Sequence, residues 1–371
     1  MLKIVFLCGS LEPGRDGVGD YTRKLAGELK LSGHHVGIIA INDQYVTDEF
    51  DGDQKSGDVS LPTLRLPSNI SLVQRYQRAN LWITSFNPDW ISLQFVPFAF
   101  HPKGLPFKMG KLLAAVGKGR HWHIMVHELW VGMNKESSLK FFWWGLFQRQ
   151  LIKSLFNKVM PAVIHTQTKL YLNLLEKMGF KSQLLPLFSN ISLAEDISVI
   201  RNDDDKIISF VVFGGIHPGA PIDKLAKELK LYGNQNAVKI VLKLLGRSGS
   251  EQLRWEQEWK AAGLCIELIG EQPEEQISAV LSSSSFGIST TPPSLVEKSG
   301  SVAAMREHGL SILCLSCPWH PRGINEPQLS PGVTEYKEGI IQDFIARKNE
   351  AYPSNSKAGI SHQFINDLLS S

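Results

Sequence analysis

The chain has 371 residues, 43% of them hydrophobic and 20% charged, enough apolar material for the cores of about two domains. A net charge of +3 is too mild to mark a nucleic-acid binder, and four scattered cysteines are too few for a disulfide framework and suit a reducing compartment. No apolar run is long enough to span a bilayer.

The opening MLKIVFLCGS has a short apolar run without a small-residue cleavage pattern, so it reads as a first strand rather than a signal peptide. The expected location is cytoplasmic. KIVFLC at 3 to 8 is followed by a helix from about Gly19 to Leu31 and by HVGIIAI at 35 to 41. WISLQFV at 90 to 96, HIMVHE at 123 to 128 and AVIHT at 162 to 166 continue the series. Such alternation predicts a doubly wound α/β domain. The segment from Pro186 to Lys206 turns polar, with its NDDDK run, and the pattern restarts at IISFVVFGG, 207 to 215. VKIVLKLLG at 238 to 246, CIELIG at 265 to 270, FGIST at 286 to 290 and SILCL at 311 to 315 follow. The expected fold is α/β, with two Rossmann-like doubly wound domains facing across a cleft. The divisions are 1–188, 189–345, and a segment 346–371 whose helix, about Ser361 to Leu369, packs back toward the first domain.

Glycine turns fall at the predicted strand ends. Gly17-Val18-Gly19 resembles a dinucleotide fingerprint but continues to Thr22 instead of a third glycine, against a nicotinamide enzyme. Gly17 and Gly19 permit close backbone approach at the mouth of a helix; a tight turn is the plain alternative. Gly214-Gly215 ends the first strand of the second half, and Arg247 in GRSGS ends its second. Glu297-Lys298-Ser299-Gly300 precedes a helix from Ser301 to His308, with Gly309 as its C-terminal cap. These turns together point to a phosphate-bearing ligand. Cys314 and Cys317 form a CxxC near His320 without a second ligand pair, and read as thiols of a strand and its exit instead of a metal site. Asp20 either orients a hydroxyl or serves as an ordinary N-terminal dipole partner. His34 and His35 read as turn residues, and His127, at a strand end, has a side chain able to exchange protons near neutral pH.

GVGDYTRKLAGELKLSGHHVGIIA and IELIGEQPEEQISAVLSSSSFGISTTPPSLVEKSGSVAAMREHGLSIL resemble the family-4 type of GT-B glycosyltransferases. The likeness is one of pattern over most of the chain. It implies transfer of a sugar from a nucleotide-diphospho-sugar donor to a hydroxyl acceptor, with retention, no essential metal and no cofactor besides that substrate. It assigns His127 and Glu297 to the donor sugar and Gly17 and Gly19 to the phosphates. The residues themselves put Gly214, Gly215, Arg247, Lys298, Ser299 and Gly300 at the diphosphate or nucleotide, with Arg247 and Lys298 standing in for the family's Arg and Lys, and Asp20 at the acceptor. The sequence departs from the family at its second glutamate, which falls on Ala303 or Met305, with Glu307 further along, and at the family's Arg and Lys after the glycine, where Gly215 and a gap before Lys224 stand. A nucleotide-sugar-binding protein without transfer activity and a sugar-nucleotide epimerase are the alternatives.

Residues 101 to 160 hold ten Lys or Arg and two Glu, a local charge of 10 − 2 = +8. The same run carries LKFFWWGLFQRQLIKSLF. Basic and aromatic residues together suit an anionic membrane surface, on the inner face, or a groove for a lipid-linked acceptor. The alternative is a helix whose aromatics pack into its own core. No nucleic-acid module is evident.

Overall fold

The computed structural model describes residues 1–193, 206–325, 329–347 and 355–371. Most of the polar boundary segment, residues 194–205 including the acids of NDDDK, lies outside the described residues. The chain divides into two compact units, Met1–Pro186 with Pro321–Ile324 and Lys357–Ser371, and Leu187–His320 with Asn325–Ser356.

The first unit is built on an eight-stranded sheet. Its strands are β1 (Lys3–Cys8), β2 (His35–Asp43), β3 (Phe50–Ser56), β4 (Val59–Pro67), β5 (Trp90–Phe95), β6 (His121–Val126), β7 (Val163–Thr166) and β8 (Gln183–Leu184), in the order β3-β4-β2-β1-β5-β6-β7-β8. All pairings are parallel except β3 with β4. β1 and β5 are almost wholly buried, as expected of strands covered by helices on both faces. The helices are α1 (Gly17–Leu31), α2 (Leu72–Phe86), α3 (Pro97–Phe100), α4 (Met109–Val116), α5 (Leu139–Val159) and α6 (Lys169–Lys177). α1 turns Thr22, Leu25, Ala26 and Leu29 inward, the spacing of one helical face. α2 begins in a capping box of Ser71 and Gln74 and stops at Asn87 in the left-handed region.

The second unit carries a six-stranded, all-parallel sheet of β9 (Ile207–Phe213), β10 (Lys239–Leu245), β11 (Cys265–Gly270), β12 (Phe286–Ser289), β13 (Ser311–Cys314) and β14 (Val333–Glu335), in the order β11-β10-β9-β12-β13-β14. Its helices are α7 (Ile222–Asn236), α8 (Gln252–Ala261), α9 (Glu274–Ser282), α10 (Gly300–Glu307) and α11 (Ile341–Ala346). One core fills the side carrying Phe210, Trp255, Trp259 and Phe286, the other the side carrying Met305, Leu281 and Ile312. Trp259 donates its ring N–H to Cys265 O at 2.8 Å, so a large buried ring keeps its polar atom satisfied.

The last helix, α12 (Lys357–Leu369), belongs to the first unit. Its fully buried Phe364 stacks on Phe6 of β1 at 5.8 Å and meets His123 of β6 edge-on at 4.9 Å.

Candidate active site

In the first unit the strand order reverses between β1 and β5, and open α/β sheets place ligands beyond the carboxyl ends of strands at such a reversal. The loop after β1 is pinned there. Asp43, fully buried, accepts from Ser10 Oγ at 3.1 Å, Leu11 N at 3.2 Å and Arg65 Nε at 2.8 Å. Gly19 then lets α1 press on that loop, since a Cβ there would stand 2.4 Å from Ser10 O. Gly17 faces open space. The need for glycine at 19 therefore arises from the protein's own backbone, while 17 is the position open to a visitor.

Asp20 is turned into its own loop. Its Oδ1 accepts from Gly14 N at 3.1 Å and pairs with Arg23. Asp16 caps α1 by accepting from Val18 N at 2.9 Å and lines a cavity of about 600 Å³ at the strand ends. Burial raises its carboxyl against the lowering effect of the helix N–H groups.

His127, one residue past β6, is buried, with Tyr21 of α1 edge-on at 5.1 Å. Its Nε2 lies 2.8 Å from Gln94 Oε1 and its Nδ1 2.9 Å from Gln167 Nε2. An amide oxygen only accepts and an amide nitrogen only donates, so the ring is neutral with its proton on Nε2. The chain of bonds continues. Gln94 Nε2 donates to Ser92 Oγ at 2.8 Å, Ser92 to His123 Nδ1 at 2.8 Å, His123 Nε2 to His165 Nδ1 at 3.0 Å, and His165 Nε2 to Asp367 of α12 at 3.1 Å. Every donor points the same way, because the carboxylate at the far end can only accept. Burial lowers both His123 and His165, which keeps the rings neutral; Asp367 partly offsets this at His165.

In the second unit the reversal lies between β9 and β12. Gly214 follows β9 at φ +85°, a backbone that side chains rarely adopt, and its N–H meets Leu245 O at 2.8 Å. Gly215 stands in open space. His217 next donates its N–H to Thr290 Oγ1 at 2.8 Å, with Nδ1 and that hydroxyl 3.1 Å apart. Burial first, then the charge of Lys298, lowers this imidazole. Lys298 ends a 3₁₀ turn, Pro293–Lys298, and Ser299 caps α10 by accepting from Val302 N at 3.4 Å. Gly300, the first residue of α10, is exposed and open. The structure thus brings Gly214, Gly215, His217, Thr290 and the Lys298 turn to one end of one sheet.

Glu297 accepts from Ser330 Oγ at 3.0 Å, and its charge acts on the partly buried Arg306. Arg247 pairs with Glu271 at 3.2 Å, both about half exposed. Lys224 pairs with Glu338 at 2.6 Å on the surface of α7. Met305 is fully buried against Gly287 and Ala303 is half-buried. Glu307 ends α10, about 10 Å along the axis from Gly300. Cys314 is a buried thiol pushed up to about 12 by burial, and Cys317 Sγ reaches Pro218 O at 3.5 Å. Among the described residues no three His, Cys, Asp or Glu side chains are grouped to hold a metal ion, and no helix is long and apolar enough to cross a membrane.

Asp16, Arg75, His217 and Thr290 escape a reading of the sequence. Only the Asp before the glycine pair carries a local signal, as a helix cap.

No family model matches the chain, and no curated protein matches it by sequence. Solved structures do. The lipopolysaccharide outer core galactosyltransferase WaaB, in its apo form, aligns over 100% of this chain and 99% of its own at 13% identity and a TM-score of 0.57. Anabaena HepE in complex with UDP and glucose aligns over 100% of both chains at 15% identity and a TM-score of 0.61. The chain has the GT-B glycosyltransferase fold. That scaffold is shared by a Listeria monocytogenes protein assigned as a UDP-N-acetylglucosamine 2-epimerase, at 12% identity, a TM-score of 0.51, and coverage of 99% of this chain and 88% of that one. Each of the two sheet reversals here has polar groups gathered beside it.

Proposed function

We propose that this GT-B chain is a glycosyltransferase that moves a sugar from a nucleotide-diphospho-sugar to a hydroxyl acceptor, with retention and without a metal. The observation that carries the reading is the gathering of Lys298, the N-terminus of α10 and the Gly214-Gly215 turn at the reversal of the second sheet. Amides at a helix start and a fixed cation suit a diphosphate whose charge grows as it departs. Lys298, Ser299 and Gly300 take the diphosphate, with Arg247 released from its surface pair to join them. Glu297 takes the donor sugar. Gly17 supplies an unobstructed backbone in the first unit, and Gly19 holds it in place. Asp16 replaces Asp20 as the acceptor-orienting carboxylate, since Asp16 lines the cavity while Asp20 is engaged by Gly14 N and Arg23. His127 enters as a neutral, oriented ring whose N–H reaches a ligand only by leaving Gln94.

The exposed aromatics of α5, Phe141, Trp143 and Phe147, with exposed Lys103, Lys108 and Lys140, form a surface suited to an anionic membrane at its inner face.

HepE was solved with UDP, so uridine diphosphate and its sugars are the first probes. Selective ligands should raise the melting temperature by mass action, and incubation with acceptors in EDTA should yield a glycoside with the donor's anomeric configuration. A changed sugar still attached to nucleotide would select the epimerase, and binding without turnover over an acceptor panel would select the non-catalytic binder.

A further inference from the structure

The cavity of the first unit holds a cation that the proposed donor chemistry does not use. Arg75 of α2 lines it and is only 8% exposed. Its Nη1 donates to Ile41 O at 3.0 Å and to Asn42 Oδ1. Its Nε is buried without a hydrogen-bond partner, and no carboxylate among the described residues pairs with it. Asp16 shares the cavity without forming an ion pair with Arg75. A guanidinium removed from water is stable only when paired or fully hydrogen-bonded, so this fork lacks an acceptor.

Four aromatic rings also line the wall. Tyr76 and Phe100 are buried, while Phe98 and Phe107 are 43% and 46% exposed. The ring of Phe107 lies 5.9 Å from that of Phe147 on α5, itself half exposed. Lys108, exposed, lines the same cavity. A polar head lodged at Arg75 therefore has an apolar path out across Phe98, Phe107 and Phe147.

We propose that this cavity binds an anionic amphiphile, an acceptor whose phosphate or carboxylate sits on Arg75 and whose apolar chain leaves over the Phe98–Phe107 rim. This rests on the proposed transfer reaction for the word acceptor, and on the cavity alone for the binding. Arg supplies a planar, always charged fork suited to a phosphate or carboxylate, and the aromatic rim shelters the apolar chain from water.

Decyl phosphate, decanol and inorganic phosphate, each below any micelle concentration, would be titrated calorimetrically into the full chain. Decyl phosphate should bind at least tenfold more tightly than either of the others. Arg75→Gln should bring it to the level of decanol while leaving the affinity for uridine diphosphate unchanged, which separates this site from the donor site. Equal binding of decyl phosphate and decanol, or a preference that survives Arg75→Gln, would overturn the proposal. Inorganic phosphate matching decyl phosphate would mark a free-phosphate subsite and overturn it too. Should Arg75→Gln fail to fold, two results on folded protein decide. A diazirine-bearing decyl phosphate should label residues 97–109, and Phe107→Ser, a rim change, should weaken decyl phosphate at least fivefold but not inorganic phosphate. Labelling confined to other segments, or an unchanged affinity in Phe107→Ser, sinks the idea.

Discussion

At the scale of single residues, the second unit offers a test in which one substitution is read at two places. Lys298→Ala removes the cation that, after burial, holds the His217 imidazole down. The protonated ring becomes easier to form, so the His217 titration followed by NMR should move to higher pH. The same change should weaken uridine diphosphate binding by about 1.5–3 kcal/mol, the usual worth of a charged hydrogen bond, with little effect on the free protein's stability. An unmoved His217 together with unchanged affinity would place the diphosphate elsewhere. Glu297→Gln should instead spare uridine diphosphate and impair use of the complete sugar donor. The two glycines of the first loop also diverge. Gly19→Ala drives a methyl into Ser10 O and should cost about 1–3 kcal/mol on urea denaturation, as overpacking does. Gly17→Ala, at an open helical position, should be neutral or stabilising by up to about 1 kcal/mol, and a large loss there would contradict the open space.

Among the elements, the apolar strands were legible in the sequence because burial on both faces leaves an uninterrupted run, as in β1, β5 and β9. The hairpin β3–β4 was not legible, since FDGDQKS is mostly exposed and pairs at an edge without an apolar alternation to announce it. α12 starts at Lys357, before the Ser361 expected, because weakly apolar residues such as Ala358 give little periodic signal at a helix start. In the site, positions that rely on turn chemistry, such as Gly214 and the Ser299 cap, were readable. Arg75 was not, because an arginine in LVQRYQRANLW looks solvated until the sheet closes over it. Nor was the bond chain from Gln167 to Asp367, whose members lie on β5, β6, β7, their exits and α12. That chain makes the join of α12 to the first unit sensitive to pH. His123 and His165 are lowered in the folded state, so the unfolded chain takes up protons first as pH falls below about 6.5. Stability is fully present above that value and should fall below it, by up to about 1.4 kcal/mol per pH unit for each ring. Urea midpoints at pH 7.5 and 5.5 check the direction, and equal midpoints would deny that these rings are held neutral. Asp367→Asn should destabilise by about 1–3 kcal/mol at pH 7.5 through the weakened terminal acceptor.

For the whole molecule, the surface of α5 predicts association with lipid that depends on charge. Sedimentation with anionic vesicles should exceed that with neutral ones and weaken as salt is added; equal recovery from both, or none from either, removes that reading. The other large-scale feature is the place of α12 in the order of synthesis. Ile360, Phe364, Ile365 and Leu368 are buried residues of the first unit, yet they follow residues 187–356, which occupy the ribosome for roughly 10–30 s at about 5–20 residues per second. Throughout that interval the newly made sheet has Phe6 and His123 facing the place where Phe364 belongs. A chaperone holding this nascent chain should therefore stay on residues 1–186 while the second unit is being made, and let go only after α12 emerges. A released chain truncated after Ser356, which keeps all of the second unit and lacks α12, should show the first unit cut more readily by protease than the second: the unit made first is the one completed last.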